Sequence, residues 1–279
     1  MEMAFIKKNI FGIVKGIFLI LLVLVSLFPI YWTLVNSFRD NTQILSEFRL
    51  FPEQLDFENY QSIFRVGSLP TAFMNSVLIT GGTMLMTGVV TMMAAYAIGT
   101  YRFRVGKWLY TLFIAGIFIP SATTMGMIYK LLQGMNLLGS RVGISLLYTA
   151  GRIPLSIFLL VAFMQGIPDS VKEAAVIDGC SPLKLFTKII VPLSQNGLII
   201  VLILTFINVW NDYLWSMILL PSESKRTLTV ALAFFKGEYF TDYGLLSACV
   251  IVGLVPIVTV YLFMQDKIIN GMAAGAVKG

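Results

Sequence analysis

Six stretches of this sequence are long and apolar enough to cross the hydrocarbon core of a membrane, which takes about 20 apolar residues. Charged residues make up only 12% of the chain, against about 25% in soluble domains, so a water-soluble surface cannot be covered. This excludes a soluble enzyme, a disordered chain and a nucleic-acid-binding module. We expect an all-α membrane protein with about six transmembrane helices in a single domain over residues 1–279. The stretches lie near residues 10–38, 73–98, 108–130, 143–167, 197–220 and 244–268.

Two residue types are scarce in ways that limit the chemistry. Histidine is absent, which excludes His-based triads, proton relays and metal sites. The two cysteines, Cys180 and Cys249, form no CxxC pair and predict neither a metal cluster nor a disulfide framework. We therefore expect no catalytic residues and no metal site in this chain.

The first apolar stretch follows Lys7, Lys8 and Lys15, as the hydrophobic part of a secretory signal peptide would. Its apolar run over residues 16–35 is longer than a normal signal-peptide core, and no A-x-A cleavage site follows it. We therefore expect a retained first transmembrane helix.

The loops between the stretches differ in charge. The short loop 100–107 has three basic and no acidic residues, whereas the loop 39–71 has three basic and five acidic residues. Because Lys and Arg favour the cytoplasmic side, we interpret the net charge of +6 as a determinant of topology. Both termini are predicted to be cytoplasmic, and the loop 39–71 is predicted to be external.

The external loop contains a short amphipathic segment. Asp56 is a suitable N-cap for a helix that places Phe57, Tyr60, Ile63 and Phe64 near one face. Two interpretations remain open: a lid that lies on the helix bundle, or a docking surface for an external partner.

The segment 167–193, between the fourth and fifth stretches, carries the clearest local signals. Pro-Asp-Ser at 168–170 is typical of a helix start, and Gly179 can adopt the left-handed conformation that ends a helix. Ser-Pro at 181–182 then provides the N-cap and first position of a second helix, and Pro192 marks its end. We predict a cytoplasmic helix-turn-helix that lies roughly parallel to the membrane.

The two sides of this segment differ in chemistry. Ala174 and Ala175 form a smooth surface that another protein's backbone can approach closely, and Glu173 adds a charge that can pair with an Arg. An apolar side, directed towards the helix bundle, comes from Leu185, Phe186, Ile189 and Ile190. On pattern alone, an ordinary hairpin at the membrane surface remains the alternative to a docking element.

The same segment resembles the EAA loop of ABC-importer permeases. Its spacing is EAAxxDG followed by FxxIxxPL, and Cys180 and Asn196 stand where Ala and a second Pro are usual. Because Asn196 departs from the usual pattern, the resemblance does not fix the residue at which the fifth stretch begins. The resemblance implies a coupling helix seated in a cleft of a cytoplasmic ATPase, and it assigns to this loop Glu173, Ala174, Ala175, Asp178, Gly179 and Pro192.

The similarity extends over most of the chain. Residues 206–215, FINVWNDYLW, and the tail over 244–279, which ends GMAAGAVKG, are similar to the smaller six-span permeases of maltose/maltodextrin-like sugar importers. The resemblance implies a multi-pass protein of the bacterial cytoplasmic membrane that transports an oligosaccharide or related sugar. It also implies a heterodimer with a second permease, two cytoplasmic P-loop ATPase subunits and an extracytoplasmic solute-binding protein.

A nucleotide-binding motif is missing from the sequence. A P-loop needs GxxxxGK[ST], and the nearest match, over residues 134–141, lacks the Lys-Ser/Thr pair. We expect this chain to bind no cofactor, and we expect ATP and Mg²⁺ on the partner ATPase.

A polar stripe in the fifth stretch is the candidate lining of a translocation pathway. Amides and carboxylates bind sugar hydroxyls, and an indole packs against sugar C–H groups. The alternative is that these groups hydrogen-bond to neighbouring helices. On a continuous helix one face would carry Thr205, Asn208, Asn211, Asp212 and Trp215.

Arg152, in the fourth stretch, is the second ionisable candidate. Gly151 and Pro154 flank it, which predicts a break in the helix. Arg152 can pair with Asp212, face an aqueous cavity or extend to the interface, and we favour a structural or gating role over sugar contact.

Other polar and helix-breaking residues within the stretches are predicted to be structural. Asn75 and Ser76 are expected to tie helices together. Bends are expected at Pro120, Pro154 and Pro256.

Three other functions are weighed against the sugar importer. The first is an importer for glycerol phosphate or another polyol-like solute; an anionic cargo such as glycerol phosphate would need cationic groups in the pathway, and Arg152 is the one candidate in the sequence. An ion-coupled secondary transporter would use Asp212 and Arg152 as coupling charges. A membrane anchor or receptor fits the helices but leaves the segment 167–193 unexplained.

Overall fold

The computed structural model describes residues 2–65, 68–101, 104–234 and 241–276. Arg102 of the basic loop and residues 277–279 of the tail therefore lie outside the described residues.

Helices joined by short connections make up the described chain. In order they are α1 (Glu2–Asn36), α2 (Asn41–Ser46), α3 (Glu58–Arg65), α4 (Leu69–Thr100), α5 (Gly106–Ile117), α6 (Met125–Gly134), α7 (Arg141–Gln165), α8 (Asp169–Ile177), α9 (Pro182–Leu193), α10 (Gln195–Trp210), α11 (Leu214–Leu219), α12 (Leu228–Phe234) and α13 (Tyr243–Ala276). Single 3-10 turns, Ser121–Thr124 and Glu223–Lys225, precede α6 and α12.

The described helices confirm the all-α membrane class. Four of them are long and apolar enough to cross a membrane: Phe11–Asn36 within α1, α4, α7, and Tyr243–Gln265 within α13. Two bent pairs, α5 with Ser121–Gly134 and α9 with α10, meet the same criteria together. The described residues therefore contain four candidate spans, or six if each bent pair is one span, in agreement with the predicted number.

The third predicted stretch is not one continuous helix. α5 ends at Ile117, and the chain turns through 92° before the helical segment Ser121–Gly134. Pro120 lies in this break, where its fixed φ and missing N–H end the helix. The bend at Pro120 is confirmed. The predicted break at Pro154 was wrong, because α7 is continuous through that residue. Pro256 also lies inside a continuous helix, and bends within α7 and α13 stay predictions.

The chain forms two compact units, Met1–Gly67 with Leu232–Val255, and Ser68–Ala231 with Pro256–Gly279. In the second unit α4 packs against α7 and α10. Ser145 of α7 donates to the Ile79 carbonyl of α4 at 3.5 Å. Small hydroxyl side chains let helices approach closely in a membrane, where no hydrophobic force drives them together. The buried hydroxyls are Thr80, Thr83, Thr87 and Thr91 on α4, and Ser145, Thr149 and Ser156 on α7.

In the first unit, Arg39 organises the segment that follows α1. Its side chain is 3% exposed and donates to Asn36 Oδ1 and to the carbonyls of Gln43 and Glu47. Asp40 caps α2 by accepting from the Gln43 N–H at 2.8 Å. This donated hydrogen bond holds the pKa of Asp40 below its usual value.

The predicted amphipathic segment of this unit is α3. Asp56 Oδ1 accepts from the Glu58 N–H at 2.9 Å, which confirms the predicted cap. Ile63 is buried, but Phe64 is 77% exposed, so the predicted apolar face is only partly covered within this chain.

Asn75 and Ser76 tie the start of α4 to the loop before α12. Asn75 Nδ2 donates to the carbonyls of Ser224 and Arg226 at 3.0 and 2.9 Å. Ser76 Oγ accepts from the Leu228 N–H at 2.8 Å. Their predicted structural role is confirmed, although they hold a loop and the first residue of α12 rather than a membrane-spanning neighbour.

We expect Asn75→Ala to lower the stability of the protein by about 1–3 kcal/mol, because two carbonyls lose their donor. The measurement is the midpoint of thermal unfolding of the purified protein in detergent. Asn208→Ala is the matched control, since the exposed Asn208 amide donates only within its own helix, to Leu204. Equal midpoints for the two variants would contradict the role given to Asn75.

Candidate functional site

The two helices predicted within 167–193 are present. α8 begins after Pro168, and Lys172 Nζ contacts Asp169 Oδ1 at 2.9 Å in its first turn. Gly179 then has a φ of +74°, a left-handed conformation that glycine adopts without a steric penalty. The Ser181 side chain accepts from the Lys184 N–H at 3.4 Å and starts α9, which confirms the predicted turn.

α9 contains one π-helical turn, Phe186–Ile190, which ends two residues before Pro192. A proline inside a helix has no N–H to donate, and its ring clashes with the carbonyl of the preceding turn. The wider π turn accommodates this defect. α9 ends at Leu193, next to the predicted end at Pro192, and α10 follows at an angle of 72°.

Both helices are anchored in an apolar core of the second unit. Ala175 of α8 and Leu185 and Ile190 of α9 are buried in the same cluster as Ile157 and Val161 of α7. Burying a side chain the size of Leu or Ile stabilises by about 1.5–3 kcal/mol, whereas an ion pair with one exposed partner, such as Lys172–Asp169, contributes about 1 kcal/mol or less. Apolar packing, rather than the ion pair, therefore holds the loop on the bundle.

The outer side of α8 remains exposed. Glu173 and Ala174 are exposed, and Val176 and Ile177 are 61% and 84% exposed. Ala175 is only 5% exposed, so the prediction that Ala174 and Ala175 together form the outer surface was wrong for Ala175. The periodicity of the helix explains this, because consecutive residues point in directions about 100° apart.

The polar stripe of the fifth stretch does not lie on one continuous helix. α10 ends at Trp210, residues 211–213 are non-helical, and α11 begins at Leu214. Asn208 and Asn211 are exposed, and their amides donate to the carbonyls of Leu204 and Ile207 on their own helix. The prediction of a single helical face over 205–215 was therefore wrong.

Asp212 lies at this break and is held by α7, α11 and α12. Its Oδ2 accepts from the Tyr148 hydroxyl at 2.5 Å and from the Ser216 N–H at 3.1 Å. Its backbone carbonyl accepts from Thr229 Oγ1 at 2.9 Å. The Tyr148 hydroxyl also contacts Ser216 Oγ at 2.9 Å. The structure thus favours the interhelical role that was the alternative for Asp212.

Arg152 lies one turn after Tyr148 on α7, and Asp212 is the charged group that acts on its guanidinium. No hydrogen bond or ion pair joins Arg152 to Asp212 in the described part of the chain, so the pairing considered for them is not formed there. Trp215 packs against the apolar cluster that contains Tyr148 itself, together with Leu132 and Leu219. Among the described residues no group of three His, Cys, Asp or Glu side chains is arranged to hold a metal ion.

Sequence reasoning missed Tyr148, the residue that joins α7 to the Asp212 break. A tyrosine in an apolar span is usually a packing residue, and nothing in its local sequence indicates a carboxylate partner 64 positions away.

We expect Tyr148→Phe to lower the stability of the protein by about 1.5–3 kcal/mol, because Asp212 loses a hydroxyl donor. Thermal unfolding in detergent measures this loss. Tyr129→Phe is the matched control, since no hydrogen bond of the Tyr129 hydroxyl is found in the described part of the chain. If both variants unfolded at the wild-type temperature, the Tyr148–Asp212 bond would not be structural.

A family model described as the inner membrane component of binding-protein-dependent transport systems matches residues 88–273. The chain is 35% identical over 264 residues to a putative ABC transporter permease of Caldicellulosiruptor sp., covering 94% of this chain and 96% of that protein. It is 29% identical over 267 residues to the diacetylchitobiose uptake system permease of Streptomyces coelicolor, covering 95% and 88%.

The fold is shared with a solved transporter as well. A crystal structure of a bacterial ABC transporter involved in the import of the acidic polysaccharide alginate matches with a TM-score of 0.85 at 23% identity, covering 93% of this chain and 97% of that chain. The family match includes both α8 and the Asp212 break. The chain belongs to the family of inner membrane components of binding-protein-dependent transport systems.

Proposed function

We propose that this chain is a permease subunit of an ATP-driven ABC importer for an oligosaccharide or a related sugar. In this proposal α8 is the coupling helix against which a partner ATPase acts. The observation that carries the proposal is the two-sided arrangement of α8, which is anchored on the bundle by Ala175 and exposes Ala174 and Ile177 on its outer side. Exposed apolar groups on a fixed element are typical of an interaction surface.

The anchoring suits α8 to transmit force. α8 and α9 share one close-packed core with α7, and such cores move between discrete arrangements rather than deforming continuously. Closure of the ATPase pair on ATP would push on residues 173–179 and move α7 with them. The bundle would then change between inward-facing and outward-facing states.

We infer the membrane topology from the charge pattern and the partner subunits from the family. We place both termini and α8 in the cytoplasm, with the loop 39–71 outside, because basic residues favour the cytoplasmic side. The partners are a second permease, two P-loop ATPase subunits that bind ATP and Mg²⁺, and an extracytoplasmic solute-binding protein. The family description names dependence on a binding protein, which supports this assembly.

A sugar is the cargo that the candidate pathway favours. Asn208 and Asn211 present exposed amides, which suit hydroxyl groups. Arg152, the cation that glycerol phosphate would require, is partly buried and lies under the electrostatic influence of the Asp212 carboxylate. The relative that takes up diacetylchitobiose supports a carbohydrate as well.

We expect Ala174→Trp to abolish sugar uptake and to weaken co-purification of the ATPase, because an indole blocks close approach to α8. Ala174 is exposed, so the variant should insert and unfold like the wild type. Ala174→Ser is the control and should retain uptake. Normal uptake by Ala174→Trp would contradict the assignment of α8.

We expect Glu173→Lys to reduce uptake at least tenfold, because a buried charge pair broken at an interface costs about 2–5 kcal/mol. Glu173→Gln should have a smaller effect, since it removes the charge without reversing it. Uptake of labelled sugar into reconstituted vesicles measures the difference. Equal uptake by Glu173→Lys and the wild type would contradict the proposed ion pair between Glu173 and the ATPase.

The whole proposal is tested by purifying this chain from its native membranes in mild detergent and identifying the co-purifying proteins by mass spectrometry. A second permease and a P-loop ATPase are expected, and the reconstituted assembly should take up sugar in preference to glycerol phosphate. A chain that purifies alone and transports without ATP would contradict the proposal and support an ion-coupled transporter.

A further inference from the structure

A polar cavity of about 420 Å³ lies where α4, α5, α7 and α8 meet, within the second unit. Ligand-binding pockets commonly have volumes of about 300–1,000 Å³, so this cavity has room for a small polar group. α4 contributes Thr100, the start of α5 contributes Lys107, and the end of α7 contributes Gln165. Lys172 and Asp169 come from the first turn of α8.

The described residues of the wall carry two cations and one carboxylate. Lys172 contacts Asp169 at 2.9 Å and is partly neutralised by it. Lys107 is exposed, and within the described chain its ammonium has no hydrogen-bond or ion-pair partner. This leaves a positive charge at the cavity, which favours an anionic ligand.

Uncharged hydrogen-bond donors also line the cavity. Thr100 Oγ1 is buried and has no hydrogen-bond partner among the described residues. Gln165 and Tyr110 also line the cavity. A ligand with several acceptor oxygens, such as a phosphate, can accept from these groups and from Lys107 together.

α5, the helix beside the cavity, indicates which class of molecule the phosphate belongs to. α5 belongs to a candidate membrane span and exposes Trp108 and Leu112 next to Lys107. Tryptophan is enriched at the boundary between the hydrocarbon core and the headgroups, and exposed apolar residues in a span face acyl chains. The cavity therefore lies at headgroup depth beside a lipid-facing surface.

We propose that this cavity binds the phosphate of an anionic phospholipid, with Lys107 as its main contact and the acyl chains along the exposed face of α5. Basic pockets between membrane helices suit such headgroups. A phosphate between Lys107 and Lys172 joins the first turn of α5 to the first turn of α8. The bound lipid then stabilises the position of α8 on the bundle.

The test is native mass spectrometry of the purified transporter, with all its co-purifying subunits, in the presence of phosphatidylglycerol, phosphatidylcholine or inorganic phosphate. We expect retained phosphatidylglycerol adducts and fewer phosphatidylcholine adducts in the wild type. Lys107→Gln should weaken phosphatidylglycerol binding about fivefold, the loss expected for one lysine near an anionic surface. Lys107→Arg should restore binding.

Lys188→Gln is the matched control, because Lys188 is an exposed lysine of α9 that does not line the cavity. Its phosphatidylglycerol binding should equal that of the wild type. Equal losses in Lys107→Gln and Lys188→Gln would overturn the site in favour of general charge attraction. Binding of inorganic phosphate that prevents all phosphatidylglycerol binding would overturn the lipid as the carrier. An absence of all phosphatidylglycerol adducts in the complete transporter would overturn the proposal.

Discussion

The close packing of α4 against α7 is the contact on which the described second unit depends. In lipid, apolar side chains gain little by meeting each other, so the two helices associate through small side chains and hydroxyls. Gly99 illustrates the closeness, because a Cβ added there would lie 3.4 Å from Met164 Cβ on α7. α7 is thereby held in place by α4, and the two candidate functional elements contact α7.

The two ends of α7 carry the two candidate functional elements. Near its end, Ile157 and Val161 share a core with the α8–α9 loop. Nearer its start, Tyr148 binds Asp212 and so holds the break between α10 and α11. Residues 148 and 164 are separated by about 24 Å along a helix, at about 1.5 Å per residue. α7 therefore supplies one continuous connection between the α8–α9 segment and the break at residues 211–213.

Local signals in the sequence were sufficient for the turns but not for the contacts. Gly179 and Ser181 act through their own backbone and side chain, so the helix-turn-helix was predictable to within a residue or two. The burial of Ala175 and the break after Trp210 depend on packing and on hydrogen bonds from Tyr148 and Thr229, which lie far away in sequence. Residues 211–213 contain no glycine or proline, so the sequence does not predict that break. At Pro120 the residue type predicts a bend but not its angle of 92°.

The most direct test of the central claim, that the outer side of α8 contacts the ATPase, is site-directed cross-linking in the assembled transporter. Cysteine is introduced at the exposed Ala174 or Ile177 in a Cys180→Ser background, in which the remaining Cys249 is buried. The account predicts that both positions cross-link to the ATPase subunit and that the yield changes when ATP is added. A transporter that retains uptake but gives no cross-link from either position would contradict it.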